Sequence, residues 1–370
     1  MESGLCSMEG LVIMNASFWK HKRVFITGHT GFKGSWMSLL LDSMGAKVKG
    51  FALEPNTSPS LFNLLDLHRK IESEVGDIAN LEALTNSLGE FRPEIVIHMA
   101  AQPLVRASYV DPVGTYKTNV MGTINLLEAI RLCETVISVI NVTTDKCYEN
   151  KEWIWGYRET DALGGFDPYS SSKGCSELVT SAYRNSFFKK DSKVCIASAR
   201  AGNVIGGGDW AEDRLIPDAI RAFENRRPVV IRNPKATRPW QHVLEPIAGY
   251  LNLAEKLYVN GQEFAESWNF GPKDDDVVSV EYVLNYLVKN WYEKNSWELD
   301  CNEQPHEARL LKLDISKSLA GLDWNPIWTL DKTLTSIIEW HRAFSDGENV
   351  TQITLQQIEE YENSMRSKNE

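Results

Sequence analysis

Residues 143–148 read TTDKCY and follow the apolar run VISVINV. Thr144, Asp145 and Lys146 thus place a hydroxyl, a carboxyl and an amine in succession. In water such a triplet is a solubilising turn. At the end of a buried strand it can move protons, since a carboxyl held protonated is a general acid and an amine held neutral is a general base. A second pair lies in DPYSSSKGCSEL, where Tyr169 and Lys173 are four residues apart at a helix start and share one face. An ammonium beside a phenol favours the phenolate, so Tyr169 is a candidate acceptor of an alcohol proton near neutral pH. A chance pair on a helix surface would look the same. A third stretch, TGHTGFKG, spaces Gly28, Gly31 and Gly34 as G-x-x-G-x-x-G. That spacing suits a phosphate cradle: a tight turn, a close backbone approach, then close packing of helix on strand. Alone it is also an ordinary glycine-rich turn.

The flanking elements decide how such residues are presented. Val24, Phe25 and Ile26 form a short β-rich run that stops at Gly28, and Trp36, Leu39, Leu40 and Met44 recur at helical spacing before Gly45. The cradle therefore sits between a strand and a helix, whose free N–H groups favour an anion. VKGFAL, IESEVGDI, PEIVIHMAA and VISVINVTT repeat the short-strand pattern, with LEALTNSLGEF and NVMGTINLLEAIRLC as helices between them. This alternation predicts an α/β fold, a doubly wound parallel sheet of Rossmann type with a smaller C-terminal substrate-binding region. The expected organisation is a leader at 1–18, a dinucleotide-binding domain at 19–200, a mainly substrate-binding region at 201–350 with some interleaved elements, and a polar tail at 351–370 that forms a fraying surface helix. SWNFGP and EARLLKLDISKSLAGLDW are assigned to the smaller region.

After the second strand, in GFALEPN, the one acidic candidate for an adenosine ribose is Glu54, with a solvated loop glutamate as the equal alternative. No arginine between Gly50 and Ser60 favours a 2′-phosphate, which points to NAD over NADP. The chain has 370 residues, 43% hydrophobic and 24% charged, with a net charge of −11. That balance argues against nucleic acid or an anionic membrane as the main partner. Six cysteines scattered singly fit reduced thiols better than a disulfide framework or a zinc site, so no metal is expected. No apolar run approaches the roughly 18 residues of a membrane span, and the N-terminus lacks a basic n-region, so a cytoplasmic protein is expected. The twelve tryptophans read as packing residues, one or two near RPWQH touching substrate, and His98 as a satisfied structural histidine.

Taken in order, TGHTGFKG, GDI (76–78), HMAAQ (98–102), TNVMGT (118–123), TTDKCY and YSSSK resemble the extended short-chain dehydrogenase/reductase superfamily, and within it the nucleotide-sugar 4,6-dehydratases. The resemblance covers roughly residues 20–330. TDK followed by CY, where the wider group usually carries a glutamate after the aspartate, is similar to the branch acting on CDP-glucose, as are FALEPNTSPSLF and QPHEARLLKLD. The resemblance implies bound NAD held by Gly28, Thr30, Gly31, Phe32, Lys33, Gly34, Asp77, Ile78, Ala100, Ala101, Gln102, Asn119 and Thr143, together with Tyr169 and Lys173. It implies substrate contacts from Asn203, Arg214, Leu215, Pro217 and Arg238, and from His306 and Arg309. The implied reaction oxidises C4 of the hexose, eliminates water across C5–C6 and returns the hydride to C6. Tyr169 and Lys173 are then the redox pair, Thr144 a partner of the C4 oxygen, Asp145 the acid and Lys146 the base. Asp145 needs a raised pKa that the neighbouring ammonium opposes, and Lys146 needs a lowered one that burial supplies. A homodimer and a place in deoxysugar supply for surface polysaccharide (lipopolysaccharide O-antigen) are also implied. The alternatives are a dehydratase or epimerase for dTDP-glucose, GDP-mannose or UDP-glucose, and a non-enzymatic dinucleotide-binding sensor.

Overall fold

The computed structural model describes residues 14–189, 191–292, 295–300, 302 and 310–368. Seven strands form one parallel sheet: β1 (Arg23–Thr27), β2 (Lys47–Ala52), β3 (Glu72–Val75), β4 (Ile95–His98), β5 (Ser138–Val142), β6 (Cys195–Ala201) and, after three strands outside this sheet, β10 (Ser267–Phe270). Their order is β10-β6-β5-β4-β1-β2-β3. The direction of winding reverses between β1 and β4, and in such sheets ligands bind in the crevice beyond the carboxyl ends of the strands at that point. The residues singled out above follow those ends: Gly28 after β1, Ala100 after β4, Thr143–Lys146 after β5 and Asn203 after β6.

β1, β4 and β5 are buried almost throughout, as expected for strands covered by helices on both faces. One core forms on the side of the Phe32–Ser43 and Leu244–Asn260 helices, the other beneath the Leu81–Phe91 and Gly122–Arg131 helices. The intervening strands, β7 (Asn203–Ile205), β8 (Val229–Ile231) and β9 (Thr237–His242), lie outside the main sheet. They pair with β11 (Val277–Ser279) and β12 (Trp297–Leu299) in the orders β11-β9-β7 and β12-β8. These small sheets share a separate core with the Leu215–Glu224, Val280–Asn290 and Leu330–Ser345 helices.

Two expectations change. SWNF does not belong to a smaller region: it is β10, paired with β6, because Trp268 and Phe270 are buried in the main core. The polar tail is the Val350–Ser367 helix, and it is docked rather than frayed, with Ile358, Tyr361 and Met365 buried on one side.

Candidate active site

The glycine loop is shaped by contacts that exclude side chains at its two ends. Gly28 has φ +78°, and a Cβ there would lie 2.6 Å from the Ala100 nitrogen. A Cβ at Gly34 would lie 2.2 Å from the Gly28 carbonyl oxygen. Gly31 between them is exposed, and its nearest protein atom for a Cβ would be 3.5 Å away. Gly31 also caps the Phe32–Ser43 helix without any side-chain bond, so the first-turn N–H groups are open to an anion. This cradle fits the pyrophosphate of a dinucleotide. Thr30 holds the loop to the second strand through Leu53 O at 2.8 Å. Phe32 lies against Gly206, whose Cβ would come within 3.0 Å of the ring.

Around the crevice, Asp77 is exposed and accepts from Ala79 N, while the buried Ile78 presses on Gly122. Glu54 is exposed just beyond β2. Ala100 N donates to Thr27 Oγ1 at 3.2 Å, and Ala101 and Gln102 continue half-buried along the rim. Asn119 lies buried in a single π-turn of its helix, Lys117–Met121. It accepts from Gln102 N (2.8 Å) and donates to Gln102 O (3.0 Å) and Ser172 Oγ (2.8 Å), tying this rim to the Pro168–Ser186 helix. His98 is a structural residue, as expected: it bonds Thr27 and Thr123 hydroxyls, and burial holds its pKa at about 3.

Tyr169 and Lys173 face the end of β5 from the Pro168–Ser186 helix, whose N-cap, Asp167, accepts from Ser170 N. Both are buried. Lys173 donates to Val142 O at 3.2 Å. Burial pulls its pKa down to about 8, against the opposing charge of Glu177. The expected favouring of the phenolate is not met. Burial pushes Tyr169 up to about 12, and the groups that pull it back are Thr144, through a hydrogen bond, and Arg214. With the Lys173 ammonium turned to a backbone carbonyl, desolvation of the phenol dominates.

Asp145 is 2% exposed. One carboxyl oxygen accepts from Thr144 Oγ1 at 3.0 Å, and Oδ2 is buried with no partner among the described residues. Its pKa is raised by burial, which outweighs the pull of Lys146, Thr144 and Arg238 in the other direction. Burial is thus the larger influence on this carboxyl, and the neighbouring ammonium opposes it. Lys146 is half-buried, with its N–H on Thr144 Oγ1 at 3.3 Å. Gly202 leaves room before the carboxyl, since a Cβ there would be 3.1 Å from Oδ2 and 2.5 Å from Pro239.

Arg214 and Arg238 come together with these residues. Arg214 Nη1 holds Asp209 at 2.7 Å, and its charge reaches Tyr169. Arg238, on β9, is buried and bears on Asp145. Asn203 is half-buried on β7, while Leu215 and Pro217 open the next helix. His306 and Arg309 lie outside the described residues. Trp240 does not reach the site: it is core, with its N–H on Val278 O.

The sequence reading missed three partners. Lys33 sends its side chain across to Tyr250, with Nζ 3.4 Å from the hydroxyl. Burial first, then Arg214 and Lys173, lower its pKa to about 7, with Asp145 opposing. Nothing in the sequence joins Lys33 to Tyr250. Glu177 and Arg200 form a buried ion pair under Lys173 at 2.8 Å. Here a signal existed, since Glu177 repeats the four-residue step of Tyr169 and Lys173.

A parallel sheet with an open glycine cradle at its winding reversal and a Tyr-x-x-x-Lys pair at the next strand end defines an extended short-chain dehydrogenase/reductase. The chain belongs to the family described as GDP-mannose 4,6 dehydratase, whose model matches residues 25–337. It is 55% identical over 353 residues to the CDP-glucose 4,6-dehydratase of Salmonella typhimurium, covering 94% of this chain and 98% of that one. A dTDP-glucose 4,6-dehydratase of Xanthomonas campestris is 26% identical, over 85% and 92% of the two chains. Among solved structures, the Streptomyces venezuelae dTDP-glucose 4,6-dehydratase with bound NAD superposes with a TM-score of 0.74 at 21% identity, over 88% of this chain and 98% of that one. The Thermotoga maritima UDP-glucose 4-epimerase gives 0.75, also at 21% identity, over 87% and 99%. Dehydratase and epimerase are therefore not separated by fold.

Proposed function

We propose that the protein is a hydro-lyase that converts CDP-D-glucose to CDP-4-dehydro-6-deoxy-D-glucose and water. The observation that carries this reading is Asp145, a buried carboxyl with its proton favoured and one oxygen unpartnered, close to the Tyr169–Lys173 pair. An epimerase only removes and returns a hydride and has no use for such an acid. The 55% identity to a CDP-glucose enzyme supports the choice of nucleotide.

The glycine loop, Asp77, Ile78 and Ala100–Gln102 would hold NAD, which when bound would supply a hydride acceptor for C4, a donor for C6 and a positive charge. Burial holds the Tyr169 proton; with NAD bound, its positive charge and that of Lys173 would oppose that burial, so that Tyr169 takes the C4 hydroxyl proton as the phenolate. Thr144 hydrogen-bonds the C4 oxygen. The 4-ketone acidifies the C5 proton, which the Lys146 amine removes. Asp145 gives its proton to the departing C6 oxygen, and water leaves. Lys146 returns its proton to C5 as the hydride arrives at C6. The proton gained by Tyr169 and the one lost by Asp145 balance through solvent. Arg214 and Arg238, with Asn203, Leu215 and Pro217, hold the nucleoside diphosphate; two guanidiniums suit a diphosphate bidentately.

The same reading places the protein in the cytoplasm, supported by four free thiols among the described residues, Cys133, Cys147, Cys175 and Cys195. No helix of the described residues is long and apolar enough to cross a membrane. It also makes the protein a homodimer. Val110, Val113 and Met121 and, on the adjoining Pro168–Ser186 helix, Leu178 are exposed apolar residues on packed helices, the kind of surface a two-fold partner covers.

The test is incubation of the purified protein with CDP-glucose, dTDP-glucose, GDP-mannose and UDP-glucose in turn, following the alkaline absorbance of a 4-keto-6-deoxy sugar. Product from CDP-glucose alone is expected. Product from another sugar nucleotide would keep the chemistry and remove the CDP assignment, and a C4 epimer would remove the dehydratase reading.

A further inference from the structure

One buried charge beside the reaction centre takes part in no step above. Glu177 is 2% exposed, one turn beyond Lys173 on the same helix face. Its carboxylate accepts from Thr143 Oγ1 (2.5 Å), Ser198 Oγ (2.6 Å), Arg200 Nη2 (2.8 Å) and Ser267 Oγ (3.3 Å). Arg200 in turn donates to Tyr148 OH (2.7 Å) and Glu159 O (3.2 Å). These bonds join the end of β5, β6, β10 and the Tyr169 helix at one point.

Two consequences converge on the proposed chemistry. Thr143 stands between Val142, whose carbonyl receives the Lys173 ammonium, and Thr144, which holds Asp145. The Thr143–Glu177 bond therefore fixes the segment on which both depend. The second consequence is charge. Tyr169 and Glu177 lie one turn to either side of Lys173 on its helix. Glu177 and Cys147 raise the Lys173 pKa, its charge bears on His98 of β4 and on Lys33 of the glycine loop, and Asp145 bears on Tyr169 and Lys33. Burial keeps Tyr169, Cys147 and His98 neutral at physiological pH and favours the proton on Asp145. Lys33 adds only repulsion. Glu177, whose pKa is lowered by Arg200 and its hydroxyl donors in spite of burial, is the standing negative charge.

We infer that Glu177 is a positioning residue for the reaction: it keeps Lys173 charged in a dry site and, through Thr143, sets the strand end that presents Thr144 and Asp145. This rests on the Tyr169–Lys173 reading above. Arg200 compensates Glu177 locally, but among the described residues only Glu177 and Cys147 raise the Lys173 pKa, and Cys147 is uncharged.

The experiment compares the holoenzyme with Glu177→Gln, Glu177→Asp and Thr143→Val, recording kcat against pH and, separately, the pH dependence of NAD binding by tryptophan fluorescence. Lys173 must be protonated, so activity falls as pH rises through about 8. Glu177→Gln is expected to move that alkaline limb down by about one pH unit, roughly tenfold in relative rate just above the parent limb. Glu177→Asp keeps the charge and the limb while lowering kcat. Thr143→Val lowers kcat at every pH without moving the limb. A uniform loss in Glu177→Gln with an unmoved limb, or the same shift in Glu177→Asp, would overturn the inference. If Glu177→Gln does not fold, the charge-neutral pair Glu177→Gln/Arg200→Gln takes its place with the same expected shift. If no sugar nucleotide is dehydrated, the proposed function fails, while the pH dependence of NAD binding still decides on Glu177.

Discussion

Replacing Asp145 with Asn separates the two halves of the proposed reaction. The amide keeps the shape and one acceptor for Thr144 Oγ1, which now lies 3.0 Å from the carboxylate. What it loses is the acid, whose other oxygen, Oδ2, is buried with no partner among the described residues. Loss of a positioned general acid costs about 10²–10⁴ in rate, roughly 3–5 kcal/mol of barrier. Stability moves the other way. The folded carboxyl titrates above its ordinary value, so the native state holds its proton longer than the unfolded chain does. Its contribution is therefore present at low pH and is lost as pH rises through the raised value. Asn carries no such penalty, so the variant is at least as stable as the parent at neutral pH. In a single turnover with CDP-glucose it is expected to oxidise C4 and stop. Reduced-nicotinamide absorbance then accumulates up to the enzyme concentration, and the recovered sugar keeps its C6 hydroxyl. Tyr169→Phe, which blocks the first step, accumulates no reduced nicotinamide and returns CDP-glucose unchanged, so the nicotinamide signal separates the two variants. Turnover of Asp145→Asn within about tenfold of the parent would refute the assignment of the acid, and so would failure to oxidise C4 while still binding substrate.

Three further outcomes follow from buried groups elsewhere. Lys33→Met removes an amine that titrates at about 7, so a limb near that pH in the rate profile disappears while the limb near 8 from Lys173 stays. Gly202→Ala places a methyl 2.5 Å from Pro239 and 3.1 Å from Asp145 Oδ2; a rise in KM and a fall in kcat of at least tenfold are expected, with about 1–3 kcal/mol of lost stability by urea titration. Glu245, which accepts from Ile327 N, Trp328 N and Tyr361 OH, is raised from 4.5 to about 7 by burial. Its stability contribution is full below the ordinary carboxylate range and falls as pH rises through 7, by about 3 kcal/mol at 1.36 kcal/mol per pH unit. Glu245→Gln should flatten that decline in urea midpoints measured at acid and alkaline pH.

The elements that carry the site were legible because their signals are local. Val24–Ile26 before Gly28, the glycine spacing and the four-residue step from Tyr169 to Lys173 each lie within a dozen residues. What stayed hidden depends on contacts between distant parts of the chain. β10 joins the main sheet through pairing with β6, which no local pattern encodes. Lys33 and Tyr250 meet across 217 positions. The sign of the Tyr169 shift was misread for a related reason: adjacency to Lys173 is visible in sequence, but the burial that outweighs it is a property of the folded core. The unpartnered oxygen of Asp145 is likewise visible only once Gly202, Thr144 and β5 are brought together.

Internal hydride transfer is the central claim, and an isotope follows it directly. CDP-glucose carrying deuterium on C4 is converted by the protein, and the product is read by NMR and mass spectrometry. Deuterium recovered in the C6 methyl group, with no net reduced nicotinamide, is the predicted result. Deuterium lost to solvent, or retained on C4 of an epimerised sugar, would contradict it.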